Sequence, residues 1–246
     1  MNLLRITLLL FIGGLFLNFK PKAKTKMYKK LNRYCATLAG EFDQISEQRK
    51  VQLKEIGDYI AEKSIAKEPV NLTVICTHNS RRSHIGQLFL KTAAVYYGVE
   101  KLATFSGGTE ATAFNPRAVK ALSSVGFKIS PLTSAENPNY AAKMGRNYPS
   151  MLLFSKKYSH TTNPQADFAA IMVCSEADAA CPLVPGADAR FAIPYKDPKH
   201  SDNTPSESTT YQEKCREIGR EMFFAMHYAK QKISGHLEET KAAARN

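Results

Sequence analysis

The stretch Asn71–Leu90, NLTVICTHNSRRSHIGQLFL, decides the architecture: a short apolar run gives way to a polar loop, and the loop to a helical pattern. Asn71 to Ile75 read as a short buried strand. Ile85, Leu88 and Phe89 recur at helical spacing in a segment with few breakers, so a helix starts near Arg82. Cys76 therefore stands where the strand stops and the helix begins. The amides of Thr77, His78, Asn79, Ser80 and Arg81 can curl into a concave nest facing the helix N-terminus, which binds oxyanions through N–H groups and the helix dipole. Positive potential favours a thiolate, so a cysteine on the floor of such a nest is poised to attack the anion above it. The planar guanidinium of Arg82 suits two oxygens of that anion side by side, which a lysine cannot imitate. Asn79 tolerates a left-handed turn, and Ser83 is placed to give the sulfur a hydrogen bond. A buried structural cysteine near a solvated arginine would satisfy the same two letters; the strand, loop and helix around them argue for a site.

At 246 residues the chain can bury one good core with appendages, and one domain with extensions is expected. The net charge of +12 suggests a nucleic-acid footprint at first, but its distribution argues against one. Residues 1–34 hold eight of the 34 Lys and Arg and no Asp or Glu, which leaves 26 basic against 22 acidic residues, or +4, for the rest. Met1 to Phe19 is an apolar run broken by Arg5 and closed by Lys20, with no small-x-small cleavage site after it. Three readings stay open: a signal-like segment, a short membrane anchor over residues 3–19 whose lysines keep the body cytoplasmic, or an upstream stretch before a true start at Met27. Five cysteines, an odd number without framework spacing, suit a cytoplasmic body and thiol chemistry better than structural disulfides.

In chain order, Phe42, Ile45, Leu53, Ile56 and Ile60 predict one amphipathic helix over Glu41 to Ala66, for packing or dimerisation. Ala103 to Ser106 is a second strand, and Asn115-Pro116 caps a helix to about Val125. Tyr140 to Lys143 and Met151 to Ser155 form a hairpin around Gly-Arg-Asn, which either rims the site or decorates the fold. Phe168 to Val173 is a buried strand that delivers Cys174 at its carboxyl end, the side on which open parallel sheets hold ligands and on which Cys76 also lies. Arg190 to Ile193 is the last strand. A long helix capped at Thr204-Pro205 buries Tyr211, Cys215, Ile218 and Met222, and the tail after Ile233 reads as frayed.

CTHNSRRS, Cys76 to Ser83, resembles the phosphate-binding loop of the low-molecular-weight protein tyrosine phosphatases and of the arsenate reductases built on the same fold. His78 and Arg81 depart from that pattern, and the bulk of His78 must point outward for the loop to close. The likeness runs from about Leu72 to Ile233. It implies a three-layer α/β/α sandwich with a four-stranded parallel sheet, here with an N-terminal helical extension over 27–70, an inserted hairpin, a catalytic domain over 71–235 and a polar tail over 236–246. Ser106-Gly107-Gly108-Thr109 resembles the glycine turn that braces the loop in these families. Asp197-Pro198 holds the place of their general acid, although a turn aspartate would fit the same residues. Lys199 and His200 follow where the phosphatases often carry aromatics. Cys174 and Cys181-Pro182 resemble the redox pair of thioredoxin-coupled arsenate reductases.

The resemblance thus implies arsenate reduction: Cys76 attacks, Asp197 protonates, Cys174 and Cys181 relay a disulfide, and a thioredoxin-like partner reduces it. The alternative is hydrolysis of a phosphorylated substrate through a phosphocysteine, and a third is a non-catalytic oxyanion binder. None of these calls for a metal or a cofactor. Geometry separates the first two: seven helical residues would hold Cys174 and Cys181 about 10 Å apart, whereas a disulfide needs about 7 Å or less between Cα atoms, so the relay demands a loop or an unwinding helix.

Overall fold

The computed structural model describes residues 26–181 and 183–245. The run over residues 3–19, and Pro182, lie outside the described residues. Two helices, α1 (Lys29–Ala39) and α2 (Glu47–Ile65), precede the first strand, β1 (Val70–Cys76). Then follow α3 (Arg82–Tyr97), β2 (Leu102–Gly108), α4 (Pro116–Val125), β3 (Lys128–Pro131), β4 (Tyr140–Lys143) and β5 (Met151–Leu153). The chain closes with β6 (Phe168–Met172), α5 (Ser175–Ala180), β7 (Ala187–Ala192) and α6 (Glu207–Ala243).

Strands β2, β1, β6 and β7 form one parallel sheet in that order, and the fold is the three-layer sandwich expected. The apolar letters of β1 and β6 make them central, and both strands are almost wholly buried. From β1 the chain steps one way to β2, and from β6 it steps the other way to β7. Crossovers of one hand then put α3 and α5 on opposite faces. The reversal falls between β1 and β6, so the crevice beyond their carboxyl ends is the switch point at which such sheets hold ligands. Cys76 ends β1 and Cys174 follows β6, with Val173 N donating to Ile75 O at 2.8 Å between them.

Several boundaries differ from the sequence reading. The helix expected from Glu41 begins only at Glu47, after a 3-10 turn over Phe42–Gln44, because Ser46 Oγ accepts from Arg49 N and caps a new start. Helix α1, which buries Leu31, Cys35 and Leu38, was not anticipated as a separate element. The hairpin β4–β5 forms as read, but β3 joins it as a third antiparallel strand, pairing Lys128 with Lys143 and Pro131 with Tyr140. Strand β2 continues to Gly108 since its backbone stays in register with β1 through Ile75–Gly107 and Cys76–Gly108, whatever the side chains. The segment read as a frayed tail continues α6 to Ala243; its Leu, Glu, Lys and Ala residues are strong helix formers. Among the described residues no helix is long and apolar enough to cross a membrane.

Candidate active site

The loop after β1 is held by its carbonyls. Cys76 O accepts from Thr109 N at 3.2 Å and Thr77 O from Glu110 N at 2.8 Å, while His78 O accepts from Ser155 Oγ at 2.8 Å and Thr112 Oγ1 at 3.3 Å. Among the described residues, none supplies an acceptor to the amides of His78 to Arg81. Tied carbonyls with unpaired amides are the makings of an anion nest. The glycines expected as a turn brace it from the end of β2 instead. A Cβ at Gly108 would fall 2.5 Å from Thr77 O and 2.7 Å from Asn79 N, and backbone cannot give way there.

Asn79 takes the left-handed turn at φ 44° and is fully buried. Its Oδ1 accepts from Lys156 N at 2.9 Å, which fixes the amide so that Nδ2 donates to Ser83 Oγ at 2.8 Å. Ser83 Oγ lies 3.1 Å from Cys76 Sγ, and towards a thiolate, which has no proton, the hydroxyl can only donate. Cys76 is thus buried on the loop floor beside a hydroxyl. The bulk of His78 points outward as the loop requires, its Nε2 3.5 Å from Glu110 Oε2. Ser80 donates to Ala113 O at 2.7 Å and is structural in its contacts.

The two arginines part company. Arg82, 6% exposed, donates from Nη1 to Tyr195 O at 2.7 Å and from Nη2 to Asp197 Oδ2 at 2.6 Å. Its Nε is buried with no protein partner among the described residues. Arg81 turns to α6 and the chain before it, with Nε donating to Tyr211 Oη at 2.7 Å and Nη2 to Asp202 Oδ2 at 3.1 Å. Asp197 also accepts from Lys199 N at 2.9 Å through Oδ1 and remains partly exposed.

A curated arsenate reductase of Shouchella clausii is 30% identical to this chain over 146 residues, which span 59% of this chain and 86% of that protein. The chain belongs to the superfamily of arsenate reductases and low-molecular-weight tyrosine phosphatases. No family model matches it. Among solved structures, a low-molecular-weight protein tyrosine phosphatase of Bacillus subtilis aligns at 14% identity over 66% of this chain and 98% of its own, with a TM-score of 0.45. An arsenate reductase in the phosphate binding state aligns at 16% identity over 67% and 98%, with a TM-score of 0.38. By its likeness to the Shouchella clausii protein the chain is an enzyme of the arsenate reductase or low-molecular-weight phosphatase type.

Cys174 and Cys181 lie on either side of α5. Cys174 is fully buried, and its Sγ is 3.3 Å from Thr77 Oγ1 and 3.4 Å from Ala177 N. Burial raises its pKa; the bonds from Thr77 and Ala177 and the charge of Arg82 oppose that, and Cys76 adds to it. Cys181, half-buried beside Tyr158, follows the last residue of α5, and all the cysteines among the described residues are free thiols. The helix between Cys174 and Cys181 is closed by Arg190, whose Nε donates to Cys181 O at 3.0 Å and whose Nη2 donates to Asp178 O at 2.8 Å and pairs with its carboxylate. Cys35 and Cys215 belong to the core, where burial pushes both thiols up to about 12.

Three contributors escaped the sequence reading. Ser155 and Lys156, next to the inserted strands, brace the loop at His78 O and Asn79 Oδ1, so that segment is more than decoration. The Lys156 ammonium is lowered to about 8 by burial. Tyr195 backs Arg82 through its carbonyl, a contact without a side-chain letter to betray it. For Ser155 and Lys156 the only signal was position, since they come 79 and 80 residues after Cys76 in a stretch of ordinary composition.

Proposed function

We propose that the enzyme reduces arsenate, with Cys76 as nucleophile and Cys174 and Cys181 as the disulfide relay. The observation that carries this reading is the nearness of Cys174 to the loop, its Sγ 3.3 Å from the hydroxyl of the residue after Cys76, with Cys181 one short helix away. The anion enters the nest of unpaired amides and engages Arg82, whose buried Nε faces no other acceptor. In doing so it competes with Asp197 for the guanidinium. Freed beside a dianion, the carboxyl takes up a proton. Cys76 thiolate then attacks arsenic, and Asp197 protonates the oxygen that leaves as water.

The Cys174 thiolate next attacks Cys76 Sγ, forming a Cys76–Cys174 disulfide as the S–As bond pair passes to arsenic and arsenite departs. Two electrons have moved from the two thiols to the metalloid. Cys181 attacks Cys174, releasing the Cys76 thiolate and leaving a Cys174–Cys181 disulfide, and a thioredoxin-like dithiol of the cytoplasm reduces it. This step needs α5 to unwind, because a rise of seven residues along a helix separates the two cysteine Cα atoms by about 10 Å. Six residues make a marginal helix.

One observation favours the phosphatase alternative: α5 is folded and held by Arg190, and hydrolysis through a phosphocysteine asks no movement of it. Mass spectrometry after a single arsenate turnover without reductant decides between the two. The relay predicts Cys174 joined to Cys181, and Cys181→Ser should trap Cys76 joined to Cys174. Free thiols throughout, together with turnover of an aryl phosphate, would overturn the reductase reading in favour of the phosphatase.

A further inference from the structure

The N-terminal helical segment reaches the site through one side chain. Arg49 stands in the first turn of α2, with its amide on the Ser46 cap at 3.3 Å. Its Nε donates to Glu221 Oε2 at 2.9 Å, its Nη2 to Pro194 O at 3.0 Å, and its Nη1 to Gln52 Oε1 at 3.1 Å. The guanidinium carbon lies 4.8 Å from the ring centroid of Tyr195. Glu221, on α6, also accepts from Tyr195 Oη at 2.6 Å. Tyr195 is therefore held at its ring face by Arg49 and at its hydroxyl by Glu221, and its peptide neighbour Pro194 is held by Arg49 as well.

What Tyr195 does in turn concerns the site. Its carbonyl takes Nη1 of Arg82 at 2.7 Å, and two residues further on Asp197 takes Nη2 at 2.6 Å. The backbone here has one tether after β7 to the sheet end, Tyr195 N to Val173 O at 3.1 Å, beyond the bond from Ile193 N to Met172 O at 2.9 Å. Where Asp197 stands is consequently set by how Tyr195 is seated. A need for stability alone does not explain the device, since replacing a buried ion pair with apolar packing commonly leaves a protein as stable. A planar cation that stacks on one ring, bonds one carbonyl and pairs with one carboxylate fixes a position.

We propose that Arg49, acting with Glu221, is a positioning residue: it seats Tyr195 and so sets Arg82 and Asp197 against the bound oxyanion. The N-terminal helices are on this account part of the catalytic unit. The inference rests on the proposed roles of Arg82 and Asp197 and is tested so that the two can fail separately.

Arg49→Met, Arg49→Lys and Lys232→Met are compared by calorimetric titration with inorganic phosphate, by turnover of arsenate and aryl phosphates, and by Tm. Lys232→Met is the control, because Lys232 Nζ pairs with Asp58 Oδ1 at 2.5 Å and likewise ties α6 to α2, far along both helices. Arg49→Met should raise the phosphate Kd by about tenfold and lower kcat by about tenfold or more, most for the poorest leaving group. Arg49→Lys keeps the charge near Glu221 but has no second nitrogen for Pro194 O, so about a threefold effect is expected. Lys232→Met should move Tm alone. If Arg49→Met lowers Tm while phosphate Kd and leaving-group dependence stay as in the wild type, the positioning role is wrong, and should that variant fail to fold, an Arg49→Lys protein with unchanged Kd overturns it equally. A wild type that turns over neither arsenate nor aryl phosphate, with phosphate Kd still raised in Arg49→Met, would remove the proposed reaction and leave the positioning role standing.

Discussion

Asp197 enters the structure as the partner of Arg82, at 2.6 Å, with Arg81 Nε 4.0 Å from its other oxygen. The pairing makes chemical sense when the anion is taken as a competitor: each oxygen that draws on Arg82 weakens its hold on Asp197, and the dianion's own charge favours protonation of the carboxyl. On the proposed mechanism the substrate would thereby ready Asp197 to act as the acid. Asp197→Asn should slow turnover by about two to four orders of magnitude for a poor leaving group, the usual worth of such catalysis. For a leaving group that needs no proton the loss should be slight, and oxyanion affinity should hold or rise as Arg82 loses a competitor. Parallel losses across a series of aryl phosphates of graded leaving-group pKa would make Asp197 a turn residue. At this scale the sequence was most legible where geometry is local: Cys76, Asn79 and Ser83 lie within one loop, and their contacts at 2.8 and 3.1 Å follow the order in which they were read. The contacts of Arg81 were not legible, because nothing near it in sequence announces Tyr211 and Asp202, to which it donates, or Asp197, whose Oδ1 lies 4.0 Å from its Nε.

Among the elements, α5 carries the sharpest conflict between structure and proposed chemistry. It is six residues long, too short to hold itself, and its closure relies on Arg190 from β7, with two main-chain carbonyls and one carboxylate as acceptors. Loss of Arg190 should make unwinding easier while leaving the phosphate loop untouched. Arg190→Met is therefore expected to speed formation of the Cys174–Cys181 disulfide under a thiol oxidant by about tenfold, the worth of two net hydrogen bonds, with aryl phosphate turnover unchanged. Quenched mass spectrometry gives the rate; equal rates in the two proteins would mean that the helix opens without releasing Arg190. Elements were readable in proportion to their apolar content. β1 and β6 are buried runs and were found, whereas β3, with three of its four residues exposed, has only its pairing with β4 to define it. Helix α1 was not told apart within the helical extension because Leu31, Cys35 and Leu38 are too few apolar letters to stand out in so basic a stretch.

Across the whole molecule one cluster of buried side chains runs from Leu31 to Ala229, so the N-terminal helices share the core of the site-bearing sheet. Beneath the phosphate loop that core encloses an ionisable ring. His84 is fully buried, with Nδ1 3.2 Å from Ser106 Oγ, its ring 4.0 Å from that of Phe114, and Nε2 unpartnered among the described residues. Burial first, and the charge of Lys156 second, hold its pKa well below the ordinary 6.5. The folded state thus refuses a proton that the unfolded chain accepts once the pH falls below 6.5, so stability is whole above that value and declines beneath it until the folded pKa is reached. Glu221 works in the opposite sense: burial raises its pKa, and the folded state gains a proton before the unfolded chain does as pH falls. The difference between wild type and His84→Gln isolates the ring, since Glu221 is common to both. Urea unfolding from about pH 7.5 to about pH 5.5 should show the wild type losing about 1.4 kcal/mol per pH unit relative to His84→Gln below the ordinary histidine pKa, and nothing above it. Parallel stability curves would mean that the folded protein lets His84 take its proton, and the tight seat between Ser106 and Phe114 would then have to open under the loop that holds Cys76.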